Sequence, residues 1–214
     1  MIQTLEEKLN QHQRDCFLSL DTPEKIQGHL DTIQYSAEDA NRSTLSVLRD
    51  KKAHCLDGGL FAAAALKRIG YPPLIIDLLP DPGKDDDHVL AIYKKNQCWG
   101  AMAKSNYVGL RYREPVYRSL RELVMTYFDV FYNVFGEKTL RYYTRPINLK
   151  RFDRLNWEWD DKGVDAVEIY LKKLKNIPLI TPEMAVGLSS MDRRSFDAHM
   201  MGTDPLGLYK PRRA

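Results

Sequence analysis

Apolar residues are most concentrated between Leu60 and Ala65, where no polar residue interrupts them. A helix without a polar face is buried on most sides. Gly70 and the following Pro72 and Pro73 end the segment, because glycine accepts a left-handed turn and proline cannot continue a helix. The pattern predicts a buried central helix that begins near Cys55.

Three short apolar runs follow this helix and predict β-strands at Leu74–Leu79, Val89–Tyr93 and Gln97–Ala103. His88 is the first residue of the second strand. Lys94–Asn96 is a turn signal, so we expect the second and third strands to form a hairpin. The order of elements favours an α+β fold, with the helix packed on an antiparallel sheet.

The rest of the chain predicts mainly helices, at 5–17, 22–34, 43–49, 119–135 and 164–174, with a short one from Thr181. Pro146 makes 139–149 an edge strand or an extended loop, and the glycines and prolines of 192–214 predict an irregular tail. We expect residues 1–150 to form a core, and residues 151–214 to form a helical C-terminal extension that packs on it.

Composition sets broad limits on the class of protein. The chain has 214 residues, of which 43% are hydrophobic and 29% charged, as in globular proteins with an ordinary core. No apolar run is long enough to cross a membrane, and the N-terminus lacks the features of a signal peptide. The three cysteines are widely spaced, which favours the reducing cytoplasm. The net charge of +3 does not indicate a nucleic-acid partner.

Cys55 stands where the central helix begins, in the position that Ser, Thr, Asp or Asn usually takes as N-cap. Unpaired N–H groups and the positive end of the helix dipole would stabilise its thiolate there, and the thiolate is the nucleophilic form. The alternative is a small buried core residue, as most free cysteines are.

His88 supplies a second reactive side chain. A cysteine that begins a helix and a histidine on a neighbouring strand can meet, and such a pair is the minimum for acyl transfer by a thiol. Asp85–Asp87 predict a solvated turn whose charge would favour the imidazolium form of His88. Consecutive residues point in different directions, so we expect no metal site here.

These residues together resemble the transglutaminase-like superfamily, a branch of the papain-like cysteine enzymes. The resemblance covers about residues 40–110 and depends on Cys55 with its helix, the exit Arg68–Pro73, His88 with Val89 and Leu90, and Trp99. It implies a cysteine nucleophile, a histidine, and an aspartate on the next strand that orients the histidine. It implies no cofactor.

The sequence departs from that family at the third position, because no carboxylate occurs between Gly100 and Asn106. Asn106 is the candidate replacement, since Cys-His-Asn arrangements work in papain-like enzymes. Ser105 is a weaker candidate.

Basic residues follow the third strand, alternating with tyrosines. Lys104, Arg111 and Arg113, with Trp99, are the predicted substrate-binding residues, as a wall for an anionic group. A nucleic-acid surface and purely structural ion pairs are the alternatives.

The sequence thus predicts cysteine-dependent acyl transfer or hydrolysis at an amide bond of a protein or peptide. Protease, deamidase and transglutaminase activities all fit. The alternative is a catalytically silent module of the same fold that holds a peptide or an anionic partner.

Overall fold

The structure is a computed structural model that describes residues 4–211. Its α-helices are α1 (Leu5–Lys8), α2 (Gln11–Ser19), α3 (Pro23–Thr32), α4 (Thr44–Asp50), α5 (Cys55–Arg68), α6 (Leu120–Phe128), α7 (Asp161–Leu171), α8 (Pro182–Ala185) and α9 (Arg193–His199). Two 3₁₀ helices cover Leu149–Leu155 and Pro205–Gly207. The strands are β1 (Gln34–Tyr35), β2 (Lys52–Ala53), β3 (Leu74–Pro80), β4 (His88–Lys95), β5 (Cys98–Met102), β6 (Arg113–Tyr117), β7 (Leu140–Tyr143), β8 (Ile147–Asn148) and β9 (Ile177–Pro178).

One antiparallel sheet organises the fold, with the strand order β6-β5-β4-β3-β7-β9. Strand β8 also pairs with β3, beside β7. The predicted hairpin of β4 and β5 is present, with Lys95 opposite Cys98. Strands β1 and β2 form a separate parallel pair. The fold is therefore α+β, as predicted, with α5 packed on an antiparallel sheet.

Helix α5 is buried along almost its whole length, from Leu56 to Leu66. It packs on the sheet face that carries Ile75, Val89 and Ala91, in one core that also includes residues of α2 and α3. Gly59 permits this approach, because a Cβ there would lie 2.8 Å from the Val89 side chain. The apolar run thus encodes a helix that other elements surround.

A second core covers the opposite face of the sheet. Leu78, Leu90 and Ile92 pack there against α6, which contributes Leu123 and Tyr127. Because side chains alternate along a strand, β4 divides its residues between the two cores. His88, which pairs with Leu78, belongs to the α6 face.

The C-terminal part of the chain also contributes to the α5 core. Trp157, Val164 and Val167 are fully buried in it. The predicted irregular tail contains a regular helix, α9, which begins where the Asp192 side chain accepts a hydrogen bond from Ser195 N. Within residues 4–211, no helix is long and apolar enough to cross a membrane.

Other elements differ from prediction mainly in length. The first predicted helix is two helices, because Asn10 caps a new one by accepting a hydrogen bond from Gln13 N. Helix α6 ends at Phe128 rather than at Phe135. The region predicted as an edge strand or extended loop supplies β7, which lies inside the sheet between β3 and β9.

Candidate functional site

Cys55 is the first residue of α5, and His54 is the N-cap, a position that the sequence prediction gave to the cysteine. His54 Nδ1 accepts a hydrogen bond from Leu56 N at 3.2 Å. Asp57 reaches back to accept one from His54 N at 3.2 Å. These two bonds replace the usual Ser or Asp cap, so the cysteine side chain is not needed as a cap.

Cys55 is a partly exposed residue that lines a cavity of about 320 Å³. Tyr35 and Asp77 form part of its wall. The chain segment 206–209 forms another part, so the C-terminal region contributes to the cavity wall. This segment is fixed by Asn106, whose side chain exchanges two hydrogen bonds with the backbone of Asp204, at 2.9 and 2.8 Å.

The Cys55 thiol is held in its neutral form. Burial raises the pKa of the thiol well above its usual value, and the carboxylates of Asp87 and Asp86 raise it further. The thiol donates to the carbonyl oxygen of Asp87, with Sγ and O 3.9 Å apart. Nearby negative charge and desolvation therefore outweigh the helix dipole, and the resting thiolate expected from the sequence is not favoured.

The His88 ring is also neutral. Its Nε2 donates to the carbonyl oxygen of Leu110 at 2.7 Å, which leaves Nδ1 without a proton. Burial lowers the pKa of His88 to about 4. The imidazolium form expected from the neighbouring aspartates is thus disfavoured, because burying a charged ring costs more than its surroundings return.

Cys55 and His88 both line a second, smaller cavity of about 40 Å³. No hydrogen bond joins them in the part of the chain that the structure describes. The thiol lies against the start of β4 at Asp87 O, next to His88 in the chain, rather than at the ring. The structure brings the two residues to one end of the sheet, from opposite faces.

Among the described residues, neither predicted partner of His88 forms a hydrogen bond with its ring, although Ser105 and Asn106 line the same small cavity. Both polar atoms of the Asn106 side chain are bonded to Asp204, and Ser105 Oγ accepts from Tyr107 N at 2.9 Å. The Leu110 carbonyl holds the ring instead. Every residue has a backbone carbonyl, so the sequence could not indicate that Leu110 is the partner of His88.

The predicted substrate-binding residues have structural partners and line neither cavity at Cys55. Trp99 pairs with Lys94 near the far end of β4 from His88, and the Lys94 ammonium lies 4.5 Å from the Trp99 ring centroid. Lys104 Nζ is buried and donates to the carbonyls of Leu30 and Ile33.

The two arginines of this group are engaged as well. Arg111 forms an ion pair with Asp31. The Arg113 guanidinium bonds Thr126 Oγ1 at 2.9 Å and stacks on the Tyr127 ring at 4.0 Å. The structural interpretation of these basic residues fits the contacts better than an anion-binding wall does.

Sequence reasoning missed the acidic character of the larger cavity. Its wall includes the carboxyl groups of Glu38, Asp39, Asp77, Asp86, Asp87 and Glu168. One signal was available: Asp77 interrupts the otherwise apolar run Leu74–Leu79, and a carboxyl group in a buried strand is unusual.

Elsewhere, Cys16 and His29 form a direct thiol–imidazole contact, with Sγ and Nδ1 3.8 Å apart. His29 stacks on Phe61 at 5.2 Å between ring centroids. Neither residue lines the cavities that contain Cys55. The contact is part of the packing between α2, α3 and α5.

Comparison with known proteins adds no relative. No protein-family model matches the chain, and no curated protein sequence is significantly similar to it.

Proposed function

We propose that this protein catalyses acyl transfer or hydrolysis at an amide bond of a protein or peptide, with Cys55 as nucleophile and His88 as base. The observation that supports the proposal is the shared cavity at the start of β4. The thiol of Cys55 and a histidine with an unprotonated Nδ1 both line it. Nucleophile and base are the two groups that this chemistry requires.

Because the Cys55 thiol and the His88 ring are both neutral, the proposed mechanism moves a proton from one to the other during the attack. The thiol leaves the Asp87 carbonyl and transfers its proton to His88 Nδ1 as sulfur attacks the acyl carbon. The C–N bond then breaks, and the amine departs with that proton. Water or another amine attacks the resulting thioester and releases Cys55. The Cys55 N–H, at the unpaired start of α5, would stabilise the oxyanion.

The resemblance to the transglutaminase-like superfamily supports the same proposal. The order of a cysteine-bearing helix, a strand, a histidine-bearing strand and a further strand agrees with that family's pattern. In that family an aspartate orients the histidine. In our proposal the Leu110 carbonyl takes this role, because it accepts a hydrogen bond from His88 Nε2 and fixes the ring. The cysteines, all unpaired, support a reducing cytoplasmic location.

Trapping the acyl-enzyme tests this proposal. The protein is incubated with an activated acyl ester, and the adduct is found by intact-mass and peptide mapping. We expect the acyl group on Cys55 and none in Cys55→Ser. The matched control is Cys98→Ser, which removes another partly exposed free cysteine, at the start of β5. An adduct that persists in Cys55→Ser would refute the assignment of Cys55 as the nucleophile.

A silent binding module is the second candidate. It is favoured by the raised pKa of the thiol and by the absence of a Cys55–His88 hydrogen bond among the described residues. This candidate predicts that Cys55→Ala binds a peptide partner as tightly as the parent protein does, and that no acyl-enzyme forms with any donor.

A further inference from the structure

The larger cavity at Cys55 contains more negative charge than the surrounding residues neutralise. Glu38 pairs with Arg42 and Lys52, and Glu168 pairs with Lys172. Within residues 4–211, no Lys, Arg or His nitrogen lies within ion-pair distance of the remaining four carboxyl groups of the wall, which are those of Asp39, Asp77, Asp86 and Asp87. The ammonium group of Lys172 also lines the cavity and lowers the pKa of Asp86 and Asp87, but its ion pair is with Glu168. An arrangement of this kind attracts a cation.

Asp77 provides an independent indication of a ligand. The residue is only 3% exposed and lines the cavity, and its Oδ1 has no hydrogen-bond partner among the described residues. A buried oxygen without a partner is costly and uncommon in a folded protein. Burial and the nearby Asp87 and Asp86 raise the pKa of Asp77 well above its usual value. A bound cation would supply both the missing donor and the missing charge.

The geometry distinguishes an organic cation from a metal ion. In the described part of the chain, no three or more His, Cys, Asp or Glu side chains converge closely enough to hold a metal. The carboxyl groups are instead distributed around about 320 Å³, within the range of small-molecule sites. Leu56 and Leu171 also line the cavity, and Tyr35 and Tyr209 add aromatic surface. Methylene groups and ammonium groups both find partners on such a wall.

We propose that this cavity binds a linear polyamine, with one ammonium group on Asp77 and further ammonium groups on Asp39, Asp86 or Asp87. The ligand lies between the start of α5 and the segment 206–209, beside the Cys55 thiol. Binding does not require that Cys55 be a nucleophile, so this site can exist with or without the proposed acyl-transfer activity.

Calorimetric titration of the full chain with spermidine tests the site. We expect one bound spermidine per chain, and an affinity about tenfold lower in Asp77→Asn, which removes a charge-assisted hydrogen bond. Asp129→Asn is the matched control, because it removes an exposed carboxylate at the end of α6. We expect it to bind spermidine as the parent does. Magnesium chloride at equal ionic strength should give no comparable heat.

Any of three results would contradict the proposed polyamine site. They are no spermidine binding at millimolar concentration, an equal loss of spermidine affinity in Asp77→Asn and Asp129→Asn, and magnesium binding as tight as that of spermidine. A thermal melt of each variant separates lost binding from lost folding. Cys55→Ser separates the two proposals, because it should keep spermidine binding whether or not the parent protein forms an acyl-enzyme.

Discussion

Two cysteine–histidine neighbourhoods in this molecule have opposite properties. Cys16 and His29 are in contact, 3.8 Å apart, but they line neither cavity at Cys55. Cys55 and His88 share a cavity without a hydrogen bond between them. The first pair has the contact that thiol chemistry needs, and the second borders a cavity of about 320 Å³ through Cys55.

The difference shows why contact alone does not identify a site. Burial raises the pKa of Cys16 and lowers that of His29, as expected for side chains packed between helices. Cys55 and His88 shift in the same directions, but they lie where the sheet ends. Cys16 and His29 are both partly exposed and His88 is buried, so a position on a cavity wall, rather than exposure or protonation state, separates the candidate site from the packing contact.

The largest expected effect is the loss of kcat/KM in His88→Asn, which is compared with His29→Asn. His88→Asn should lower kcat/KM for acyl transfer by about 10²–10⁴-fold, the usual worth of a general base. His29→Asn should leave kcat/KM almost unchanged. Steady-state kinetics with the activated ester, and a melting curve for each variant, provide the comparison. Similar losses in both variants would contradict the assignment of the base.

Glycine-to-alanine substitutions in α5 and α3 compare how tightly the helices near the two cysteine–histidine pairs are packed. Gly58→Ala should destabilise the fold by about 3 kcal/mol, because its Cβ would lie 2.2 Å from Lys104 Cβ. Gly28→Ala, next to His29 in α3, has no atom within 4 Å of its Cβ. It should stabilise the fold by about 0.5–1 kcal/mol. Urea unfolding measures both, and an unchanged midpoint for Gly58→Ala would argue against this packing.

Asp77→Asn should raise the stability in a pH-dependent way. The pKa of Asp77 is raised in the folded state, so the folded protein binds more protons and loses stability as pH rises above the usual aspartate pKa. The advantage of Asp77→Asn in Tm should therefore grow from about pH 4 to about pH 8 and reach about 2–4 °C. Scanning calorimetry across pH measures it. A constant difference would show that charge is not the cause.

The smallest effect concerns the thiols themselves. Asp87 raises the pKa of Cys55, so Asp87→Asn should increase the rate of Cys55 alkylation by iodoacetamide at neutral pH by about threefold. Cys16, which is elsewhere in the fold, should react at an unchanged rate. Peptide mapping over time resolves the two cysteines, and equal acceleration of both would indicate general loosening of the structure.

Local sequence patterns predicted the central elements well. The apolar run after Cys55, the exit at Gly70 and the strand at His88 all correspond to elements of the structure. These features depend on the chain's own periodicity and turn residues, which neighbouring elements reinforce. Lengths were less reliable, as α6 shows, because helix ends depend on caps and on packing.

The partners of the candidate site were not predictable in the same way. Asn106 has a suitable side chain but bonds Asp204, which is far along the sequence. His88 instead bonds the Leu110 carbonyl, and every residue type offers such a group. Tertiary contacts between distant segments decided both pairings.

The sequence by itself determined that a cysteine begins a buried helix and that a histidine begins a nearby strand, since both follow from local patterns of apolar residues and turns. Only the tertiary structure decided that the thiol faces carboxylates and that both reactive groups are neutral. Charge and solvation depend on every element around a group, and those elements come from distant parts of the chain.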